Sequence, residues 1–346
     1  MRTVVHTRQG NPADVLTLRE DPDPPPRPGT GQVLVRLLVR PVHPGDLAGV
    51  EGMPGLAEQR PGEVRTPGVE GMGVIEGVGP DVRGLRPGQR VAVFPAPGTW
   101  ADFVVVAAER AVPVPDGVGD ETAALLLVNP LTLRMLYRAL ENALGEQDKG
   151  PVLQTAAGSS IGRLVSAAAV RHGLPLVNLV RSASGAQRMR EAYPTLPVVT
   201  TSDGDWREQV RRHTGGRPLQ AVLDCVGHPL TQDLVTLLAD GGTLITYGRL
   251  GSGTTALEEL PVVQRGLTVQ GVTVWHWTRR GPEERAEDVA FALDLARNTP
   301  ELFEVAARYD LADVKAAVEH VRRPGKSGTV LLTSPRSTGA GQEAVR

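Results

Sequence analysis

Up to about residue 125 the apolar positions come in short runs, TVVHT, VLTLRE, QVLVRLLVRPV, GMGVIEGVG, QRVAVF and WADFVVVAAE, separated by proline and glycine. Apolar β-type runs between such punctuation are strands joined by turns, and their spacing predicts a compact, barrel-like β domain. DPDPPPRPG, residues 21–29, reads as an extended polyproline-II connector. PVHPGDLAGVEGMPG, residues 41–55, is too broken by proline and glycine for a helix and too polar for core, so it is expected to be a turn or loop.

From about residue 123 the rhythm changes to helix, strand, helix, strand. Strands are predicted near 151–156, 175–181, 197–201, 219–227, 242–248 and 267–274, with helices near 123–144, 161–172, 184–193, 205–213, 230–239 and 255–264. Six strands with crossover helices give the fold class as α/β, a doubly wound parallel sheet of the nucleotide-binding kind. Residues 282–298 carry the pattern of an amphipathic helix, and the segment after it reads strand, helix, strand. Its VLL strand has no partner left in the parallel sheet and is assigned back to the first domain. The tail SPRSTGAGQEAVR is poor in apolar residues and is expected to be disordered.

A chain of 346 residues can hold two domains, each with its own core. Its 37 basic and 39 acidic side chains nearly cancel, which argues against nucleic acid or an anionic membrane as partner and for a small molecule. One cysteine, Cys225, excludes a disulfide framework and any zinc site built on several thiolates. The start, MRTVVHTRQG, has no apolar leader and no later stretch has the length of a membrane span, so a cytoplasmic protein is expected. Lysine occurs only at 149, 315 and 326, an arginine bias that points to a GC-rich bacterial source.

VLQTAAGSSIGRLVSAAAVRHG, residues 152–173, reads as a buried strand, a turn of small residues and a helix opening at Ser160 or Ile161. Ala157, Gly158, Ser159, Ser160, Ile161 and Gly162 then stand where a dinucleotide fingerprint stands, with alanine and serine at two positions usually held by glycine. Small residues let a diphosphate approach the backbone, and the helix N-terminus offers N–H donors. Packing alone could also demand small residues here; the strand–turn–helix context favours the diphosphate. At the end of the second strand, where Asp or Glu would take a ribose 2′-hydroxyl, stand Arg181 and Ser182, with Arg188 in the next helix. Those groups suit a 2′-phosphate. Each good arginine–phosphate contact is worth about 1.5–3 kcal/mol, roughly tenfold or more in favour of NADPH over NADH.

Seven motifs stand in register: GTWADF (98–103), LVNPLTLRML (127–136), AAGSSIG, LVRS (179–182), LDCVG (223–227), GGTLITYGRLG (241–251) and LTVQGVTVWHW (267–277). In this order the chain resembles the medium-chain dehydrogenase/reductase superfamily, from QGNPADVLTLRE to GKSGTVLLT. Its resemblance is to the zinc-free branch, first to the mitochondrial-type trans-2-enoyl-thioester (enoyl-CoA/ACP) reductases and then to quinone oxidoreductases. This implies a GroES-like catalytic β-barrel domain, 1–126 and 275–346, split around a Rossmann domain, 127–274. It also implies an NADPH groove lined by Asn129, by Gly158 to Ile161, by Arg181, Ser182 and Ala183, by Tyr247, Gly248, Arg249 and Leu250, and by Val272, Thr273 and Val274. The 267–274 strand would pair two such sheets into a homodimer, and a β-branched run there would otherwise be an exposed edge. Arg279 and Arg280, just beyond, could meet a phosphorylated or thioester-carrier substrate.

The catalytic zinc places of metal-containing relatives fall on His43, Val69 and approximately Asn129, and one imidazole cannot make a three-ligand site. Glu70 stands in both branches and does not change this; no metal is expected. Without a Lewis acid, hydride transfer suits an activated C=C bond, an enoyl thioester or enone, whose developing enolate is stabilised by hydrogen-bond donors. The tyrosine that family members use as donor falls on Pro54. His43, which the resemblance places facing the nicotinamide, is the remaining donor by type; a structural hydrogen bond is the other role open to it. Asp46 is expected to hold the turn. Trp100, Trp275, His276 and Trp277 would be pocket walls. A quinone reductase and a cofactor-binding protein without turnover are the alternatives.

Overall fold

The computed structural model describes residues 1–53, 55–56, 58–145 and 150–335. Pro54 and residues 336–346 of the tail expected to be disordered lie outside this range. The chain divides into two compact units, residues 1–127 with 296–346, and residues 128–295. Among the described residues no helix is long and apolar enough to cross a membrane.

In the discontinuous unit, β1 (Arg2–Val5) and β2 (Thr17–Glu20) form an antiparallel ribbon around the short helix α1 (Pro12–Val15). The long strand β3 (Gln32–Pro41) is followed by α2 (Pro44–Glu51), then by β4 (Gly71–Val78), β5 (Arg90–Val93), β6 (Phe103–Ala107), β7 (Ala111–Pro113) and α3 (Asp120–Ala124). β3 is the organising strand, pairing antiparallel with both β4 and β6. Its run of valine and leucine is buried throughout, as a strand covered on both faces requires.

Two expectations fail in this stretch. Residues 44–51 are helical and not loop: proline occupies the first turn, where no N–H is needed, Asp46 caps the start, and Gly52 closes the end at φ 72. The single helix expected over 123–144 is two, because the backbone N–H of Leu127 donates to the Glu70 carboxylate and not to a helical carbonyl.

The central unit runs α4 (Val128–Leu144), β8 (Val152–Gln154), α5 (Ser160–His172), β9 (Leu176–Val180), α6 (Ala183–Ala192), β10 (Val198–Thr200), α7 (Trp206–His213), β11 (Leu219–Asp224), α8 (Leu230–Leu237), β12 (Leu238–Thr246), α9 (Glu259–Gln264), β13 (Thr268–Gly271) and α10 (Pro282–Asn298). The six strands are parallel, in the order β10-β9-β8-β11-β12-β13. Strand order reverses between β8 and β11, which defines the crevice at their carboxyl ends. Leu153, Val177, Val199, Val222 and Leu244 from five neighbouring strands are buried with Trp206 and Leu234 from the helices.

The last strand is shorter than the 267–274 expected. Val272 N still donates to Thr246 O of β12 at 2.8 Å, but Thr273 caps a 3-10 turn over Val274–Arg279, so Thr273 and Val274 leave the edge and Val274 is not strand. Only residues 259–264 of the predicted 255–264 helix are helical. The second crossing between units comes at 295/296 and not at 274/275. Arg134 and Arg138 of α4 grip the fully buried Asp288 of α10 at 2.9 and 2.7 Å, which holds that helix in the central unit.

After the crossing, β14 (Val305–Asp310), α11 (Val314–Val321) and β15 (Thr329–Thr333) return the chain to the first unit. β15 pairs antiparallel with β3 and parallel with β14. Just beyond β15, the Ser334 hydroxyl accepts from Arg2 and from the fully buried Arg40 and donates to Asp102, which pins this end of the chain.

Candidate functional site

The central unit builds its loop after β8 with little freedom. Ala156 sits at φ 47, in the left-handed region. Ser159 caps α5, its hydroxyl accepting from Gly162 N at 3.1 Å. A Cβ on Gly162 would lie 2.6 Å from the Ala157 carbonyl oxygen and 2.7 Å from that of Ala156, so packing alone demands this glycine. A Cβ on Gly158 would meet nothing within 4 Å, so the loop is open where a diphosphate would approach. Beneath it lies a polar cluster that the strand pattern does not reveal. The Gln154 amide donates to Gly162 O at 3.0 Å, Ser166 Oγ at 2.9 Å and Asn178 Oδ1 at 2.6 Å, and all three of these side chains are fully buried. It fastens the first turn of α5 to the sheet.

At the end of β9, Arg181 is exposed and Ser182 caps α6, its hydroxyl accepting from Gly185 N at 3.2 Å. Arg188 is exposed on the second turn of α6, and Ala183 begins that helix. A guanidinium, a hydroxyl and a helix N-terminus thus stand together, a donor set that fits a phosphate.

On the other side of the strand-order reversal, the buried Asp224 at the end of β11 accepts from Thr155 Oγ1 at 2.7 Å and from Thr231 Oγ1 at 2.8 Å. Sequence reasoning took Asp224 only as part of the LDCVG motif, with no role, and gave none to either threonine, because polar residues at strand ends carry no periodic signal. Tyr247 N donates to Asp224 O, and the next turn is tied down by Leu250 N to Cys225 O at 2.8 Å. Burial above all pushes the Tyr247 phenol well above its ordinary range, so it stays a hydroxyl. Gly248, Arg249 and Leu250 are exposed on that turn, whereas Asn129 on α4 and Val272 are buried; Thr273 and Val274 lie in the turn after β13.

In the discontinuous unit three ionisable side chains meet at the start of α2. His43 Nε2 lies 2.8 Å from Glu70 Oε2, and the other oxygen, Oε1, accepts Leu127 N at 2.7 Å. Asp46 Oδ2 accepts the backbone N–H of His43 at 2.9 Å, closing the helix start. His43 and Asp46 are each 8% exposed and Glu70 1%. Burial pulls the His43 imidazole down, but the hydrogen bond and charge of Glu70, with the charge of Asp46, outweigh it and the result is raised. Burial pushes the Asp46 carboxyl up to about 6 against the pull of His43. His43 is therefore an oriented imidazole bonded to a carboxylate, where the sequence offered a choice between a catalytic group and a backbone contact.

The four expected pocket walls differ in burial. Trp100 is fully buried in the core of its own unit and donates to Pro41 O at 3.3 Å, so it is core and not a wall. Trp277 is 6% exposed with Arg285 over its ring, while Trp275 and His276 are exposed. Arg280 pairs with Glu284 and is not available as one half of a bare basic pair; Arg279 is exposed.

Residues 29–116 match the family model of the alcohol dehydrogenase GroES-like domain, and residues 160–293 match that of zinc-binding dehydrogenases. A human mitochondrial enoyl-[acyl-carrier-protein] reductase is 28% identical over 338 residues, covering 96% of this chain and 88% of that one. A Bacillus thuringiensis structure described as an NADPH:quinone reductase is 31% identical over 96% of this chain and 99% of its own, with a TM-score of 0.82. A mycobacterial structure in complex with NADPH is 26% identical, with a TM-score of 0.83, over 96% of this chain and 100% of that one.

Zinc, which the second family model names, does not fit the donors present. Nε2 of His43 is engaged by Glu70, and the single cysteine is buried in the other unit with its thiol pushed up to about 11, chiefly by burial. Among the described residues no group of three or more His, Cys, Asp and Glu side chains is placed to hold a metal ion. A six-stranded doubly wound sheet inserted into a GroES-like domain, matched over nearly its full length by relatives of the same build, makes this chain a member of the medium-chain dehydrogenase/reductase superfamily.

Proposed function

We propose that the chain is an NADPH-dependent oxidoreductase that reduces an activated C=C bond, in an enoyl thioester or enone, without a metal. The observation that carries the cofactor is the strand–loop–helix after β8, where Gly162 is forced by packing while Gly158 leaves the loop open. Arg181 and Ser182 at the next strand end favour the 2′-phosphorylated form. The NADPH complex of the mycobacterial neighbour supports this, and the mitochondrial enoyl reductases support the acceptor.

When bound, the cofactor supplies hydride. The loop from Ala157 to Gly162 would bind its diphosphate through backbone N–H groups, and Arg181, Ser182 and Arg188 would hold the adenosine phosphate. Without a Lewis acid the acceptor must itself carry the developing negative charge, and an α,β-unsaturated thioester does so as an enolate. His43 is the group we assign to proton supply: its Nε2 proton is held against Glu70, and that carboxylate favours the imidazolium. Asp46 fixes the backbone that carries the ring. The residues from β13 into the 274–279 turn, with Val269 47% exposed on the edge strand and Val263 75% exposed on α9, are the surface we assign to pairing of two copies.

NADPH consumption with a panel of enoyl-CoAs, enones and quinones tests the activity. The proposal expects turnover of enoyl thioesters or enones above that of quinones, and no oxidation with any of them removes it. Faster quinone turnover selects the second reading, NADPH:quinone reduction, which the likeness to the Bacillus thuringiensis structure favours.

A further inference from the structure

Asp224 is a carboxylate at the carboxyl end of β11 with 1% of its surface exposed. Oδ1 accepts from Thr155 Oγ1 at 2.7 Å and Val226 N at 2.9 Å; Oδ2 accepts from Thr231 Oγ1 at 2.8 Å and Gly227 N at 3.3 Å. A group that takes four N–H and O–H donors and gives none is an ionised carboxylate. None of those four partners carries a charge, so they solvate the anion without cancelling it. Its field reaches its neighbours. Burial comes first in raising both the Cys225 thiol and the Tyr247 phenol; the charge of Asp224 adds to that push on each, against the hydrogen bonds at Cys225 and after the charge and hydrogen bond of Cys225 at Tyr247. Arg249 lays its aliphatic stem beside Gly227 but is exposed, where water and salt screen its charge.

The position of this anion in the topology matters. The diphosphate loop follows β8 and the phosphate-binding group ends β9, so the adenosine half belongs to the β8–β10 side of the sheet. β11 opens the other half, at the strand-order reversal where dinucleotides cross. The oxidised nicotinamide ring carries a positive charge and the reduced ring none. A fixed anion on that side therefore distinguishes the two redox forms.

Resting on the NADPH assignment above, we propose that Asp224 makes the protein hold the oxidised cofactor more tightly relative to the reduced one, which draws the bound couple toward hydride donation. A unit charge acting across roughly 10 Å of protein changes the affinity for a cation by about tenfold.

The test is the pair of dissociation constants for NADP⁺ and NADPH, measured by calorimetry with no acceptor present, on the unmodified chain and on Asp224→Asn. Asparagine keeps the shape, and the Thr231 hydroxyl can reverse to accept from its amide. NADP⁺ is expected to weaken about tenfold and NADPH by less than about twofold. Equal weakening of both forms overturns the proposal, because Asp224 then only shapes the loop, and so does no change in either. Should Asp224→Asn not fold, Thr231→Val serves: removing one donor leaves the charge less compensated, and the preference for NADP⁺ rises by about two- to threefold. An unchanged or reduced preference overturns it. If the unmodified chain binds neither form, the NADPH assignment itself has failed, an outcome distinct from binding without discrimination.

Discussion

Glu70 and His43 form a buried carboxylate–imidazole pair, Oε2 to Nε2 at 2.8 Å, that links the entry of β4 to the start of α2. The pair makes His43 more basic than a free imidazole, by a hydrogen bond and charge that outweigh burial. Glu70→Gln therefore lowers the His43 pKa, read from the pH titration of its ring protons by NMR. The sign follows from linkage. A raised imidazole contributes stability that is complete below its ordinary value near 6.5 and is lost as pH rises through the folded value. In Glu70→Gln that loss occurs at lower pH. An unmoved titration would show that the pair does not set the ring's charge.

Asp46 works in the opposite part of the pH scale. Its carboxyl titrates at about 6 in the fold because burial disfavours the anion. The folded state thus binds this proton more tightly than the unfolded chain, and stability falls as pH rises from about 4 to about 6, by on the order of 3 kcal/mol. Asp46→Asn keeps an acceptor for the His43 N–H and flattens that limb of the stability profile, measured by denaturant unfolding across this range.

On the NADPH assignment proposed above, Arg181→Ala is expected to weaken NADPH by roughly tenfold or more and to leave NADH nearly unchanged, since only NADPH carries the 2′-phosphate. Fluorescence titration of both cofactors checks this; equal losses would place the guanidinium elsewhere.

Gly162→Ala sets a methyl group against two backbone carbonyl oxygens, at 2.6 and 2.7 Å, that a flexible side chain cannot relieve. The first turn of α5 must shift, at a cost of about 1–3 kcal/mol in stability and a loss of at least roughly tenfold in cofactor affinity. Gly158→Ala, with open space around its Cβ, serves as the control for stability.

Asp288→Ala leaves Arg134 and Arg138 without their shared carboxylate and loosens α10 from α4. Stability falls by about 3 kcal/mol, the lower end for a buried ion pair because both arginines are partly exposed. Thermal or denaturant unfolding checks the value.

Much of the fold could be read along the chain because it is written in periodic form. The six parallel strands were each expected within a few residues of where they lie, since buried β-branched runs between helices have few other readings. The errors fall where a distant partner overrides local pattern. The helix break at Leu127 comes from Glu70, 57 residues away, and the reach of the central unit to 295 comes from a carboxylate gripped by two arginines about 150 positions earlier. α2 is hidden for another reason: Pro44 and Gly52 stand at its two ends, where they favour a helix, while Gly45 and Gly49 lie inside it.

The sequence by itself determined the class of protein: the doubly wound sheet, the small residues after its first strand, and the arginine at the end of its second are all local and survive without coordinates. Only the tertiary structure decided what surrounds the ionisable groups. Nothing in the spacing of His43, Asp46 and Glu70 shows that the imidazole faces a carboxylate, or that Asp224 is an anion ringed by neutral donors. Burial and pairing are properties of chain segments brought together across long separations, and these, not residue type, fix where a proton resides and which charge a ligand feels.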